Sequence, residues 1–280
     1  MKHFEDKWQD KEGITFFLRG WEPENGNPKA LIVLVHGLGE HNARYTHVGK
    51  ALTRAGYALA GFDLRGHGKS GGARGHAPSL DAYMQDIRQF FSLMEQRYPA
   101  IPRFLYGHSL GGLLVLAYAI THGSGLKGVI ATGPALRSSL QEQKAKIAMV
   151  RLLGSLAPTV TVPSGLDAAT LSRDPAVVEA YKKDPLVHAS TSLGFGKAAL
   201  SAIDLCFARA REFPAPLLIM HGTGDKITYF SGSEDFAKLM SETGRDVTLR
   251  LWNDLYHEIH NEPQKDEVLT FMIQWLDKHI

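Results

Sequence analysis

The residues from Gly107 to Gly111 read GHSLG, a Gly-x-Ser-x-Gly motif. One apolar run, Phe104–Tyr106, precedes the motif and another, Gly112–Ile120, follows it, so the sequence predicts a strand, a sharp turn and a helix. A serine in such a turn adopts a strained backbone, and flanking glycines avoid clashes with the strand and the helix. Ser109 is therefore a candidate nucleophile, exposed at the carboxyl edge of a sheet.

A serine hydroxyl is a weak nucleophile at neutral pH, so the site also needs a histidine base and an acid that orients it. With this motif, the acid and the histidine follow the serine in that order along the chain. Asp225 follows PLLIMHGTG, just past the apolar run Pro216–Met220. His257 lies in the loop LYHEIHNEP after the next apolar run. We predict Asp225 as the acid and His257, which lies nearer its strand than His260, as the base. Three other acids are better explained as surface residues: Asp204, Asp246 and Asp254.

Two backbone amides are candidates for an oxyanion hole. The amide of Leu110 lies at the start of the predicted helix, where N–H groups are unpaired and point toward a developing negative charge. The amide of Leu38 lies in the glycine-containing stretch HGLG after the run ALIVLV, where glycines let a backbone N–H turn toward the site. We predict that His36, at the start of that stretch, braces the loop.

Short apolar runs alternate with longer amphipathic segments along most of the chain. Six runs each predict a strand: Ala30–Val35, Tyr57–Phe62, Phe104–Tyr106, Gly128–Thr132, Pro216–Met220 and Val247–Trp252. Several are apolar at every position, which is typical of strands buried on both faces of a parallel sheet. Apolar residues at helical spacing predict one helix over 79–98, with Ser79 as N-cap, and another over 268–276. The alternation predicts a three-layer α/β fold with right-handed crossovers.

One connection is much longer than a helical crossover requires. About 80 residues separate the strand that ends near Gly133 from the strand that starts near Pro216. We predict that residues 135–208 form a helical cap over the strand ends, and that residues 1–134 and 209–280 form the core. The apolar face of the cap either packs on the core or also lines a mouth that receives a lipid.

The composition excludes several classes of protein. Of 280 residues, 44% are hydrophobic and 21% are charged, a balance typical of a globular protein rather than a disordered one. Cys206 is the only cysteine, the N-terminal residues lack a signal-peptide pattern, and the longest near-apolar run is too short to span a bilayer. We therefore expect a cytoplasmic protein. The net charge of +2, with scattered basic residues, disfavours a nucleic-acid partner.

The histidines and the glycine-rich segment give little support to a metal or nucleotide site. His36, His41 and His47, or His67 with His76, match no zinc spacing. The segment DLRGHGKSGG lacks the residue order of a phosphate-binding loop. We expect no metal or cofactor, and we expect Asp63 and Arg65 in this segment to form local bonds.

Five segments, in order along nearly the whole chain, resemble the monoacylglycerol lipases of the serine α/β-hydrolase superfamily: HGLGEHNARY, DLRGHGKSGG, GHSLGG, HGTGDKITYFSG and YHEIHNEP. The resemblance implies an α/β-hydrolase fold with a cap inserted late in the sheet, and an esterase that releases glycerol and a fatty acid. By position, Ser109, Asp225 and His257 match the triad of the family, and the amides of Leu38 and Leu110 match its oxyanion hole. Three further residues match polar positions near its glycerol pocket: Glu40, Arg44 and His260.

Several alternatives remain open at this point. Glu40 and Arg44 could form a simple ion pair instead of contacting glycerol. The same triad also suits a broader carboxylesterase or a lysophospholipase, and a catalytically silent scaffold or receptor is the alternative outside enzymes. An exposed apolar face on the cap would allow transient contact with a membrane surface. The sequence leaves the acyl-chain preference and the oligomeric state undetermined.

Overall fold

The computed structural model describes residues 1–280. Its ten strands are β1 (Lys2–Gln9), β2 (Thr15–Glu22), β3 (Leu31–Val35), β4 (Ala58–Phe62), β5 (Arg103–His108), β6 (Gly128–Thr132), β7 (Thr161–Pro163), β8 (Ser190–Ser192), β9 (Leu217–Gly222) and β10 (Val247–Trp252). Its eight α-helices are α1 (Thr46–Arg54), α2 (Leu80–Arg97), α3 (Leu110–His122), α4 (Lys144–Leu156), α5 (Pro175–Lys183), α6 (Leu193–Arg209), α7 (Phe230–Ser241) and α8 (Lys265–Lys278). None of these helices combines the length and the apolar character that crossing a bilayer requires.

Eight strands form one sheet in the order β1-β2-β4-β3-β5-β6-β9-β10. The six strands from β4 to β10 in this order pair in parallel, whereas β1 and β2 pair antiparallel. All six strands predicted from apolar runs are present in the parallel part of the sheet. The carboxyl ends of these strands therefore meet at one edge, where loops from distant parts of the chain come together.

Helices cover both faces of the sheet and give it two hydrophobic cores. Successive residues of β3 point to opposite faces, so Leu31, Val33 and Val35 belong to one core while Ile32 and Leu34 belong to the other. The first core includes α2, α3, α6 and α7, and the second includes α1 and α8. This arrangement confirms the predicted three-layer α/β architecture.

The start of α2 follows from local hydrogen bonding. The Ser79 Oγ accepts a hydrogen bond of 3.2 Å from the Ala82 amide, which satisfies one of the amides left unpaired at a helix start. The helix ends at Arg97, so the sequence prediction of a helix over 79–98 with Ser79 as N-cap is confirmed.

The long connection between β6 and β9 contains three α-helices and a two-stranded antiparallel sheet, although β6 and β9 are neighbours in the main sheet. The strands β7 and β8 pair antiparallel, with Thr161 opposite Ser192. Helix α6 packs on the core, where Ala202 and Cys206 are fully buried. Helix α4 lies farther out and exposes its apolar residues Met149, Leu152 and Leu156.

Candidate active site

Ser109 lies in a sharp turn between β5 and α3. Its φ of 55° is positive, which is uncommon for a residue with a side chain and stores backbone strain. The turn also brings backbones close together, because a Cβ atom on Gly111 would lie 2.0 Å from the carbonyl oxygen of Val35. Only glycine fits at that position, so the residue types of the motif follow from the geometry of the turn.

Asp225 and His257 come together because they follow neighbouring parallel strands. Asp225 lies just after β9 and His257 lies just after β10. The Nδ1 atom of His257 donates a hydrogen bond of 2.7 Å to Oδ2 of Asp225. Oδ1 of the same carboxylate accepts hydrogen bonds from the amides of Ile227 and Thr228, at 2.8 and 3.0 Å. The carboxylate is thereby fixed as an acceptor under the imidazole ring.

The charges of the two residues stabilise each other. Burial acts to raise the pKa of Asp225, but the nearby histidines His257 and His221 outweigh it and hold that pKa well below the ordinary value. Burial likewise acts to lower the pKa of His257, but the attraction of the Asp225 carboxylate outweighs it and raises that pKa. A histidine in this setting is a stronger base than free imidazole, as a proton acceptor for a serine hydroxyl should be.

A second histidine, His221, also binds Asp225. Its Nε2 lies 3.1 Å from Oδ2 of Asp225 and 3.0 Å from the carbonyl of Thr228, and its Nδ1 lies 2.8 Å from the hydroxyl of Ser233. Both neighbours of Nε2 are acceptors, so Nε2 carries the proton and Nδ1 accepts from Ser233. The four-residue spacing in HGTGD at a strand end is the signal in the sequence that could have indicated this contact.

Ser109 and His257 line one small cavity. The hydrogen bonds of His257 to Asp225 and Thr228 both use Nδ1, which leaves Nε2 as the nitrogen available to Ser109. The volume of the cavity is about 10 Å³, room for roughly one water molecule. Three residues from the inserted segment form part of its lining, and we call them the roof of the cavity: Leu166, Leu171 and Tyr181. A substrate larger than water needs more room than this cavity provides.

The loop that carries Leu38 is held in place by His36. The Nδ1 atom of His36 donates to the Gly37 carbonyl at 2.8 Å, while its Nε2 accepts from the amide of Leu64 at 2.9 Å. In a trans peptide the N–H points away from the C=O, so fixing the Gly37 carbonyl also fixes the direction of the Leu38 amide. The Leu38 amide forms no hydrogen bond with another protein group, and Leu38 lines the cavity beside Ser109.

The second predicted oxyanion donor lies at the start of α3. Leu110 is the first residue of that helix, so its amide has no helical carbonyl four residues before it. Leu110 follows Ser109 directly, which places the amide beside the serine side chain and at the positive end of the helix.

Of the three residues expected near a glycerol pocket, Glu40 lines the cavity. Arg44 forms the ion pair with Glu40 that the sequence left open, at 2.8 Å, and a second ion pair with Glu258 at 2.6 Å. Glu258 has no assigned role from the sequence. His260 is fully buried behind the cavity, with its ring 5.0 Å from that of Tyr45, and burial lowers the pKa of His260 to about 3.

The inserted segment is bonded directly to the loops of the site. The amide of His188 donates to the carbonyl of Gly39 at 3.0 Å, next to the loop residue Leu38. The amide of Ser192 donates to the carbonyl of Gly75, also at 3.0 Å. A hydrogen bond of 2.8 Å joins Nε2 of His41 to Oδ2 of Asp184. The part of the insertion around 184–192 is therefore anchored on the core.

The segment DLRGHGKSGG forms bonds within the core. Asp63 accepts from the amides of Asn42 and Lys69, both at 2.8 Å. Arg65 forms a buried two-bond pair with Asp86 of α2, at 2.6 and 2.7 Å. Of these partners only Lys69 is local, because Asn42 and Asp86 each lie 21 positions away. The segment thus supports the fold around the site.

Comparisons with known proteins identify several relatives of this chain. The sequence profile of the family described as Serine aminopeptidase, S33 matches residues 26–264. The chain is 40% identical over 275 residues to an uncharacterized abhydrolase domain-containing protein of Dictyostelium discoideum; the match covers 97% of this chain but only 28% of that protein. It is 35% identical over 269 residues to a monoacylglycerol lipase of Mycolicibacterium smegmatis, a match that covers 96% of this chain and 95% of that protein.

A solved structure gives the same result. The crystal structure of a monoacylglycerol lipase from Paleococcus ferrophilus superposes with a TM-score of 0.84 at 34% sequence identity, over 100% of both chains. The resemblance predicted from the sequence motifs is therefore confirmed, and the chain belongs to the monoacylglycerol lipase family within the serine α/β-hydrolases.

Proposed function

We propose that this chain hydrolyses the ester bond of monoacylglycerols and releases glycerol and a fatty acid. The observation that carries the proposal is the 2.7 Å hydrogen bond between His257 and Asp225 at the cavity that Ser109 lines. The substrate class is supported by relatives that are named monoacylglycerol lipases and cover nearly the whole chain. Ser109 is the nucleophile of this reaction, His257 is the base and Asp225 is the acid.

The reaction proceeds in two halves. His257 Nε2 takes the proton of the Ser109 hydroxyl as the oxygen attacks the ester carbonyl, and the amides of Leu38 and Leu110 bind the resulting oxyanion. The bond to glycerol then breaks, and the proton on His257 passes to the leaving oxygen. In the second half His257 takes a proton from water as the water oxygen attacks the acyl-serine carbonyl. The bond to the Ser109 oxygen then breaks, the proton passes from His257 to that oxygen, and the fatty acid is released.

The glycerol head group binds at the Glu40 side of the cavity in this proposal. Glu40 is the residue of the expected three that reaches the cavity lining, while Arg44 and His260 lie behind it. A carboxylate can accept hydrogen bonds from the hydroxyl groups of glycerol, which gives the head group a fixed orientation.

Residues 135–208 act as the cap, and its outer face contacts a lipid surface. Helix α4 and the residues after it expose five apolar side chains: Met149, Leu152, Leu156, Val160 and Val162. Contiguous exposed apolar residues are typical of sites that bind lipid or protein. The roof of the cavity belongs to the same insertion. We therefore expect the cavity to open for an acyl chain when the cap contacts lipid.

The test is to measure hydrolysis of monoacylglycerols of increasing chain length beside lysophosphatidylcholine and short p-nitrophenyl esters. We expect the highest kcat/KM on a monoacylglycerol. A preference for lysophosphatidylcholine, or for the short esters alone, would favour the lysophospholipase or the broader carboxylesterase.

The nucleophile is tested by labelling with a fluorophosphonate probe. The wild type and Ser124→Ala, which changes an exposed loop serine, should label and hydrolyse esters alike. Ser109→Ala should lose both the label and nearly all activity. A folded wild type that neither labels nor hydrolyses any ester would favour the catalytically silent scaffold.

A further inference from the structure

Arg44 binds two carboxylates that line the cavity, Glu40 and Glu258. One terminal nitrogen, Nη1, lies 2.8 Å from Glu40 Oε2 and 2.6 Å from Glu258 Oε1, and the other, Nη2, lies 2.7 Å from Glu258 Oε2. The Arg44 side chain is 11% exposed, and those of Glu40 and Glu258 are 3% and 2% exposed. The contact with Glu258 is a two-bond fork, which fixes the relative orientation of both groups.

The three residues belong to the two loops that carry the proposed chemistry. Glu40 follows Leu38 in the loop after β3, and its Oε1 accepts from the amide of Gly37 at 2.6 Å. Glu258 is the next residue after His257 in the loop after β10. Arg44 and Glu258 are 214 positions apart in the chain, so their fork is a direct side-chain link between the two loops.

The inserted segment contacts both Arg44 and Glu258. The amide of Glu258 donates to the carbonyl of Leu171 at 2.8 Å, and the Arg44 guanidinium lies 4.8 Å from the centre of the Tyr181 ring. Both Leu171 and Tyr181 are part of the cavity roof. The Arg44 guanidinium thus contacts two carboxylates and one aromatic ring.

We infer that the fork between Arg44 and Glu258 is a positioning clamp. It sets the distance between the imidazole of His257 and the loop after β3 that carries the Leu38 amide, which we call the oxyanion loop. The inference rests on the proposed serine-hydrolase function. Three of the five N–H groups of Arg44 are bonded to Glu40 and Glu258. In this proposal Arg44 acts on the reaction through the two loops and not through contact with the glycerol group. A displacement of about 1 Å between reacting groups can cost roughly 100-fold in rate, so a clamp of this kind affects turnover directly.

The charge count decides which substitutions test the clamp. Removal of Arg44 would leave two buried carboxylates without a cation, an arrangement that is strongly destabilising. Glu258→Gln instead leaves one carboxylate, Glu40, with one guanidinium, and Arg44→Lys keeps every charge but loses the fork. The matched control is Asp86→Asn, which makes the same chemical change in the buried pair with Arg65.

The experiment measures KM and the kcat per active site on two esters, a monoacylglycerol and p-nitrophenyl butyrate. Active sites are counted by fluorophosphonate titration. For Glu258→Gln and Arg44→Lys we expect kcat to fall about tenfold or more on both esters, with KM changed little. For Asp86→Asn we expect kcat per active site to equal that of the wild type. Circular dichroism and thermal unfolding establish that each variant is folded at the assay temperature.

Two outcomes would overturn the clamp. An unchanged kcat per active site in the folded Glu258→Gln variant would show that the fork only stabilises the fold. A loss confined to KM on monoacylglycerol, with normal turnover of p-nitrophenyl butyrate, would show that the pair serves glycerol binding instead. Failure of the proposed substrate class is distinguishable from both, because it appears in the wild type as turnover of p-nitrophenyl butyrate without turnover of monoacylglycerol.

Discussion

The Nδ1 atom of His257 lies 2.7 Å from Oδ2 of Asp225, although the two residues are 32 positions apart in the chain. Because a carboxylate only accepts, this contact requires the proton of the neutral imidazole to sit on Nδ1. The other nitrogen, Nε2, is then unprotonated and able to accept the proton of Ser109. The carboxylate therefore determines which nitrogen is the base as well as how basic it is.

Replacement of that carboxylate by an amide should disable the base while the fold is kept. In Asp225→Asn the amide no longer selects the Nδ1–H form of His257, so we expect kcat to fall about 10⁴-fold, as in serine proteases with the equivalent change. Asp235→Asn, at an exposed carboxylate that pairs with Arg137, is the control and should retain full activity. An Asp225→Asn variant with more than a tenth of wild-type kcat would contradict the assignment.

The value of kcat/KM should fall at acidic pH, with a midpoint above the ordinary histidine pKa of about 6.5. The pKa of His257 is raised, because the attraction of Asp225 outweighs burial, and the imidazole must be neutral to accept a proton. Activity is therefore lost as the pH falls through this raised pKa and is regained as the pH rises above it. The check is kcat/KM on a short p-nitrophenyl ester between pH 5 and 9, in buffers of constant ionic strength, and a midpoint at or below about 6.5 is inconsistent with the geometry.

Substitutions at the neighbouring positions 37 and 38 in the oxyanion loop should differ strongly in their effect on kcat. In Gly37→Ala the new Cβ would lie 2.8 Å from Glu40 Oε1 and 3.3 Å from Ser109 Cβ. Because the Gly37 amide and the Tyr45 hydroxyl hold Glu40 Oε1 in place, we expect the loop to shift and displace the Leu38 amide. Loss of one oxyanion donor costs about 10²- to 10³-fold in kcat, whereas Leu38→Ala keeps the backbone donor and should stay within about threefold of wild type. Equal losses in both variants, measured with p-nitrophenyl butyrate, would argue against a backbone role for Leu38.

The exposed apolar face of α4 should determine binding to lipid vesicles. Leu152 and Leu156 are 61% and 73% exposed, and each could gain about 1.5 to 3 kcal/mol if it were fully buried in lipid. The double variant Leu152→Ser/Leu156→Ser should therefore lose at least about tenfold in vesicle affinity in a sedimentation assay. Ile280→Ser, at an exposed apolar residue outside the face, should bind like the wild type. Turnover of dissolved p-nitrophenyl butyrate should be unchanged in both, and undiminished vesicle binding by the double variant would exclude the face as the contact.

The buried strands and the main loops of the site could be predicted because their signals are local. Strands β3 and β6 are apolar at nearly every position, and a parallel strand buried on both faces admits little else. The two N-terminal strands were not predicted. The buried run Phe16–Leu18 in β2 is a signal that could have indicated that strand, whereas β1 is charged and mostly exposed at the edge of the sheet. Its apolar residues Phe4 and Trp8 pack on the core, but they are too few to show the two-residue period of a strand.

The contacts between loops could not be predicted in the same way. Nothing near Glu258 in the sequence indicates a guanidinium, because its partner Arg44 comes from a loop 214 positions earlier. Whether α4 packs on the core or faces outward was equally undetermined, since an amphipathic pattern shows that a face is apolar but not what covers it. These features depend on tertiary packing rather than on residue spacing.

The hydrogen bond from His188 to the Gly39 carbonyl bears on attempts to change specificity by making chimeras. The insertion supplies a donor to the same loop that presents the Leu38 amide, so exchanging residues 135–208 for those of a relative would also alter the support of that loop. A transplanted segment must reproduce the backbone path around His188, or the loop after β3 must be exchanged together with it. The insertion that we propose as the cap and the loop that we propose to bind the oxyanion thus form one unit for engineering.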